Sequence, residues 1–190
     1  DNLALDIPVL MLTEAANKRV EADVLKQFCT INVIRSSLKR LNLCLHVARL
    51  NGDWEKLCYL AMVLERREDA GVIYTATQGS AMMIAFFLCS LGIKAVYERT
   101  HCDDVIPSGI EQDHRTNQHN ILCMVPDQDK DIDCKNIRFV IHYHAPGSLI
   151  DYYRNINRTG QNNDRMWCIL LYDPADVMQQ ERLIGQDGPQ

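Results

Sequence analysis

Several things are scarce or missing in this chain, and each absence excludes a class. Positive charge is in deficit: 20 Lys and Arg stand against 25 Asp and Glu, a net −5 at neutral pH. No global field therefore draws the chain to phosphate backbones or anionic membranes, and any nucleic-acid binding must be local. None of the eight cysteines falls in a Cys-x-x-Cys pair, which removes the spacing used by most zinc sites and redox motifs. Most sit in apolar runs such as FFLC and MWCILL, where a thiol packs as a small hydrophobe, so they are expected to be reduced. No apolar run reaches about 18 residues and no charged start precedes an apolar signal segment. The expectation is an intracellular chain, in nucleus or cytoplasm, that does not span a membrane. Neither an internal repeat nor a low-complexity tract occurs, which excludes solenoids and linkers.

What is present is a globular composition: 190 residues, 47% hydrophobic and 24% charged, enough for a sizeable core. Strand-length apolar runs alternate with helical patterns. IPVLML (7–12) reads as a strand, and EAANKRVEADVLKQF carries Ala16, Val20, Val24 and Leu25 at helical spacing. INVIRSS and NLCLHVARL read as short strands before Asn51-Gly52 breaks the chain ahead of the helix WEKLCYLAMVLERRE. Then come GVIYT (strand), TQGSAMMIAFFLCSLG (helix closed by Gly92) and IKAVYE (strand). Residues 98–120 show neither period and read as a long loop or one short helix. ILCMV, IRFVIHYH and RMWCILLY are further strands, separated by the helix SLIDYYRNINR and followed by PADVMQQERLI, a helix opened by Pro174. Such alternation predicts an α/β fold, a mostly parallel sheet with helices on both faces.

Candidate chemistry is sparse. Asp127, Asp129, Asp131 and Asp133 alternate as in a calcium loop, but Ile132 and Arg138 occupy the positions where such a loop needs Gly and a bidentate Glu. A solvated acidic loop is expected, and no metal site. His142 and His144 lie two apart on one strand and read as structural strand-end residues. Thr75, Thr77, Gln78 and Ser80 follow the GVIY strand and suit either phosphate contact or helix capping. Arg154 and Arg158, four apart beside Tyr152 and Tyr153, form either a basic and aromatic patch or an ordinary surface helix. Met82, Met83, Phe86, Phe87 and Leu88 read as core.

The stretch IRFVIHYHAPGSLIDYYRNINRTGQNNDRMWCILLYDPADV (137–177) resembles the end of the second RecA-like lobe of RecQ-type superfamily 2 DNA helicases. The family pattern there runs V-R-F-V-I-H-x-x-x-P, then Y-Y-Q-E-x-G-R-A-G-R-D-G, then L-x-Y-x-P-A-D. VLMLTEAANKRVEADVLKQ (9–27) is similar to the L-T-A-T-A-N segment that closes the first lobe, and GVIYTATQGSAMMIAFFLCSLGIKAVYE (71–98) to the motif IV region. The resemblance implies a RecA-like layered fold, with residues 1–34 as the end of a first lobe, 35–178 as the second lobe and 179–190 as a tail that frays from Gly185.

The family is ATP-dependent and uses magnesium, but its phosphate-cradling loop and Asp-Glu-x-His motif lie in the first lobe and occur nowhere in this chain. No cofactor is therefore expected for this chain alone. The resemblance assigns Arg158 to nucleotide sensing and Thr75, Thr77, Gln78 and Ser80 to nucleic-acid contact, and the basic and aromatic patch adds Arg154 to the latter. The second arginine of the family pattern, the arginine finger, is Gln161 here. Asp129 and Asp131 replace two glycines of the preceding motif, and Ala15 replaces the second Thr of the first-lobe segment. Two functions follow as expectations. One is a degenerate lobe kept as a scaffold or protein-interaction module with weak single-stranded DNA binding. The other is the second motor lobe of an active ATP-dependent helicase in DNA unwinding, repair or recombination. The expected partner is another protein or the missing first helicase lobe, and no membrane.

Overall fold

The structure, a computed structural model, describes residues 9–13, 18–27, 32–35, 39–98, 121–126, 137–157, 164–176 and 178. The chain divides into two compact units, Asp1–Lys39 and Arg40–Gln190. In the first, α1 (Lys18–Gln27) carries exposed charge pairs, Lys26 with Asp23 at 3.4 Å and Glu21 with Arg35. Residues 9–12, expected as part of a strand, are not one, nor are residues 32–35 of INVIRSS. A strand exists only where a neighbour takes up its amides and carbonyls, and among the described residues neither segment belongs to a β-ladder.

The second unit is a six-stranded sheet, every neighbouring pair parallel, in the order β1-β6-β5-β2-β4-β3. The strands are β1 (Leu43–Arg49), β2 (Ala70–Tyr74), β3 (Ala95–Tyr97), β4 (Ile121–Met124), β5 (Ile137–His142) and β6 (Met166–Tyr172). The helices are α2 (Gly52–Leu64), α3 (Gln78–Ser90) and α4 (Leu149–Asn157). Parallel strands need crossover connections, and strands covered on both faces need not alternate in polarity. That is why AGVIY, ILCM and IRFVIH read as near-continuous apolar runs and are almost wholly buried.

One sheet face, with Ile73, Cys123, Ile141 and Ile169, packs under Leu60 and Leu64 of α2 and Ala81, Ile84, Ala85 and Leu88 of α3. The other, with Val72, Leu122, Val140 and Cys168, packs under Ile156, Tyr152 and Tyr153 of α4. Met82, Met83 and Phe86, expected in the core, are exposed, Phe86 to 63%, whereas Leu88 is buried and Phe87 partly so. A helix laid on a sheet buries one stripe, here Ala81, Ile84, Ala85 and Leu88 at i, i+3, i+4 and i+7, and its other residues face away.

Local signals set the helix ends. Ile93 N–H donates to Leu88 O and Gly92 N–H to Cys89 O, both at 3.0 Å, and Gly92 takes φ +79°. These paired bonds close α3 and need a residue free of Cβ strain. Ser148 and Asp151 form a reciprocal cap on α4: the Asp151 amide donates to Ser148 Oγ at 3.0 Å, and the Ser148 hydroxyl donates to Asp151 Oδ2 at 2.6 Å. Arg40 closes its other end, donating to the Asn157 carbonyl at 3.3 Å and its side-chain oxygen at 3.0 Å.

Candidate nucleic-acid interface at the carboxyl edge of the sheet

After β2 the chain turns towards β4 and β3; after β5 it turns the other way, towards β6. β2 and β5 are neighbours, so their connections diverge and leave a crevice at their carboxyl ends, where open α/β sheets bind ligands. One wall is residues 75–80, entering α3. The Thr75 amide continues the sheet by donating to Met124 O at 2.9 Å, and its hydroxyl donates to Thr77 O at 2.9 Å and lies 3.3 Å from Met124 O. Thr75 is 2% exposed. The Thr77 hydroxyl oxygen caps α3, accepting from Ser80 N–H at 3.2 Å, and lies 2.9 Å from Ser80 Oγ. Thr77 is exposed, and Gln78 and Ser80 are half-buried at the helix entrance.

The other wall is Tyr143–His144, just past β5. Tyr143 N–H donates to Tyr74 O at 2.9 Å, and Ala76 N–H donates to His144 Nδ1 at 3.1 Å, so the two connections are tied directly. Beneath them lies a charged group absent from the sequence-based expectations. Lys56 of α2, 1% exposed, donates to Asp176 Oδ2 at 2.7 Å and Tyr143 O at 3.0 Å, with its ammonium 5.1 Å from the Tyr143 ring centre. Tyr143 OH donates to Asp53 Oδ1 at 3.0 Å. Burial, then the neighbouring Asp53 charge, pushes the Tyr143 phenol up. Amides of Ala175 and Gly52, donating at 2.9 and 2.7 Å, hold Asp173 below the ordinary carboxylate value. The signal for Lys56 was in the sequence: Lys56, Leu60 and Leu64 share one face of α2, so a lysine stands in the buried stripe.

Comparison with known proteins decides what this edge belongs to. No protein-family model matches the chain. Over 187 residues, 95% of its length, it is 33% identical to the ATP-dependent DNA helicase RecQ of Bacillus subtilis. Over an equal length it is 29% identical to the putative ATP-dependent DNA helicase Q1 of Caenorhabditis elegans. The chain is a homologue of RecQ-type helicases. It spans 31% and 30% of those two relatives, and 16% of the Arabidopsis thaliana DNA helicase Q-like 4B, to which it is 27% identical, so it corresponds to one lobe. The fold is that of helicase C-terminal domains. The C-terminal domain of the DEAD-box protein Dbp5 superposes with a TM-score of 0.61 over 77% of this chain and 88% of that one, at 15% identity. A hypothetical ATP-dependent RNA helicase from Sulfolobus tokodaii gives 0.58 over 86% and 48%, at 18% identity.

Within this RecQ-like lobe, Thr75, Thr77, Gln78 and Ser80 share the carboxyl edge, but Arg154 does not join them. It stands on α4, against the opposite sheet face, half-exposed and 3.9 Å from Asp151. Arg158 and Gln161 lie outside the described residues, as do Asp127–Asp133, most of the 98–120 loop and the 179–190 tail. His142 and His144 do not form a pair. β5 ends at His142, which is buried between the rings of Tyr74 and Tyr152 at 5.2 and 4.8 Å, with Nε2 3.3 Å from Asn155 Nδ2. His144 lies beyond the strand, at the crevice. Burial lowers the His142 pKa to about 4 and, as the leading cause, also lowers that of His144. No group of three or more metal-ligating side chains is gathered among the described residues, and no described helix is long and apolar enough to cross a membrane.

Proposed function

We propose that this RecQ-like second lobe is degenerate and serves as a non-catalytic scaffold or protein-interaction module with weak affinity for single-stranded DNA. The observation that carries the reading is Gln161, which stands where the family pattern has its arginine finger. A neutral amide has neither the charge nor the rigid fork of a guanidinium. Asp129 and Asp131 add bulk and negative charge where the pattern has glycines. One crevice hydroxyl points the same way: that of Thr75 is spent on the Thr77 carbonyl and is not free to donate to phosphate. With a net charge of −5, counterion release offers little drive.

A partner protein, or a first helicase lobe, is supported by the first unit, whose Leu10, Leu12 and Ile34 are exposed. The second reading, the motor lobe of an active ATP-dependent helicase that unwinds DNA, has Arg158 in its favour. It needs a first lobe to bring the phosphate loop and the magnesium ligands. Fluorescence anisotropy with a labelled single-stranded oligonucleotide at moderate salt tests the proposal. Weak binding with a shallow salt dependence is expected. A submicromolar dissociation constant with a steep salt slope overturns it.

A further inference from the structure

We propose that His144 is a positioning residue whose neutral imidazole holds the β2–α3 connection in place and releases it on protonation. Tyr143 N–H to Tyr74 O extends the β2–β5 pairing just past both strands. The next link is a side chain, with Ala76 N–H donating to His144 Nδ1 at 3.1 Å. That bond requires a lone pair on Nδ1, hence the tautomer with its proton on Nε2. An imidazolium carries protons on both nitrogens and cannot accept.

The ring is held for this role. It packs edge-on against Tyr143 at 4.9 Å and 69°, and Tyr143 is fixed by Asp53 at its hydroxyl and by Lys56 at its carbonyl. The charged groups acting on the imidazole come from two elements. α2 contributes Asp53 and Lys56, and the segment after β6 contributes Asp176. The β2–α3 connection itself, Thr75 to Thr77, has no titratable side chain. The two carboxylates favour the imidazolium, Lys56 opposes it, and burial opposes it most, so the group titrates below the ordinary histidine value. The link is therefore closed at neutral pH and opens on acidification.

The consequence for nucleic-acid contact rests on the reading of the carboxyl edge given above, but the latch can be observed without a ligand. In the full chain labelled with nitrogen-15, His144 Nδ1 is expected to be the unprotonated ring nitrogen at pH 7.5. The Ala76 amide proton should move upfield as the ring protonates, with one shared midpoint below the ordinary histidine value. His144→Asn, whose amide oxygen replaces Nδ1, should keep the Ala76 shift flat across that range. His144→Ala should show the released shift already at neutral pH. An Ala76 resonance indifferent to pH in the unaltered chain overturns the proposal, whether or not the variants fold. So does a His144 proton found on Nδ1, or an identical Ala76 titration in His144→Ala. Anisotropy with single-stranded DNA is a separate arm: no binding at neutral pH overturns the nucleic-acid reading and leaves the latch standing.

Discussion

Replacing Lys56 by methionine keeps the length of the side chain and removes its charge. Lys56 is 1% exposed, with Asp176 Oδ2 at 2.7 Å and the Tyr143 carbonyl at 3.0 Å. Lys56→Met leaves a carboxylate and a carbonyl without their donor. Breaking one side of a buried ion pair costs about 3–5 kcal/mol, mostly because the other charge stays behind. Asp176 lies at the rim of the buried region, where water can reach it, so the lower end, about 3 kcal/mol, is expected. That is a large part of the 5–15 kcal/mol that holds a typical domain together. Lys56→Met with Asp176→Leu removes both charges. It should recover part of the loss and fall short by the unmatched carbonyl, about 1–2 kcal/mol. Urea unfolding followed by circular dichroism at pH 7 measures Lys56→Met, Asp176→Leu alone and the double variant. Burial also makes the expected loss nearly independent of salt. A Lys56→Met chain within about 1 kcal/mol of the unaltered protein refutes the reasoning, as does a double variant that loses the sum of the singles.

Three further outcomes are expected. A Cβ at Gly71 would stand 2.1 Å from the ring of buried Phe139, which also lies under Arg67 at 5.5 Å. Gly71→Ala should therefore cost about 1–3 kcal/mol or more, and Phe139→Leu should relieve part of it, both read from urea midpoints. His142 titrates at about 4 when folded, against an ordinary value of 6.5. The unfolded chain takes up the proton first, so stability is full above pH 6.5 and should fall by roughly 3 kcal/mol as pH drops to 4. His142→Asn should flatten that slope in unfolding curves at pH 7, 5.5 and 4. Brief alkylation and mass spectrometry should find exposed Cys58 and Cys89 modified in the native chain. Buried Cys123 and Cys168, the latter thiol pushed up to about 12, should react only after unfolding.

The α/β alternation was legible because β2 and β4 are unbroken apolar runs, β5 nearly one, and because Gly92 marks the end of α3. The buried stripe of α3 was not legible. QGSAMMIAFFLCS has no charged residue, so nothing in its polarity separates Ala81 and Ile84 from Met82 and Phe86. Packing chose the smaller side chains for the sheet face. IPVLML reads as a strand on composition, yet pairing is decided by neighbours, and its described residues 9–12 belong to no β-ladder among the described residues. At the candidate site, the position of Thr75–Ser80 followed from the strand-to-helix pattern. The inward turn of the Thr75 hydroxyl did not, because it depends on Met124, a residue of another strand. The Lys56–Asp176 pair joins residues 120 apart in sequence, beyond the reach of any local pattern.

The most direct test is steady-state phosphate release from ATP and magnesium with single-stranded DNA, for the chain alone and mixed with a nucleotide-binding lobe. An arginine finger is worth about 10³ to 10⁵ in rate, or roughly 4–7 kcal/mol of barrier, and Gln161 supplies none of its charge. No turnover above background is expected in either case. Turnover above background that disappears in Arg158→Ala would contradict the account and show a working motor lobe.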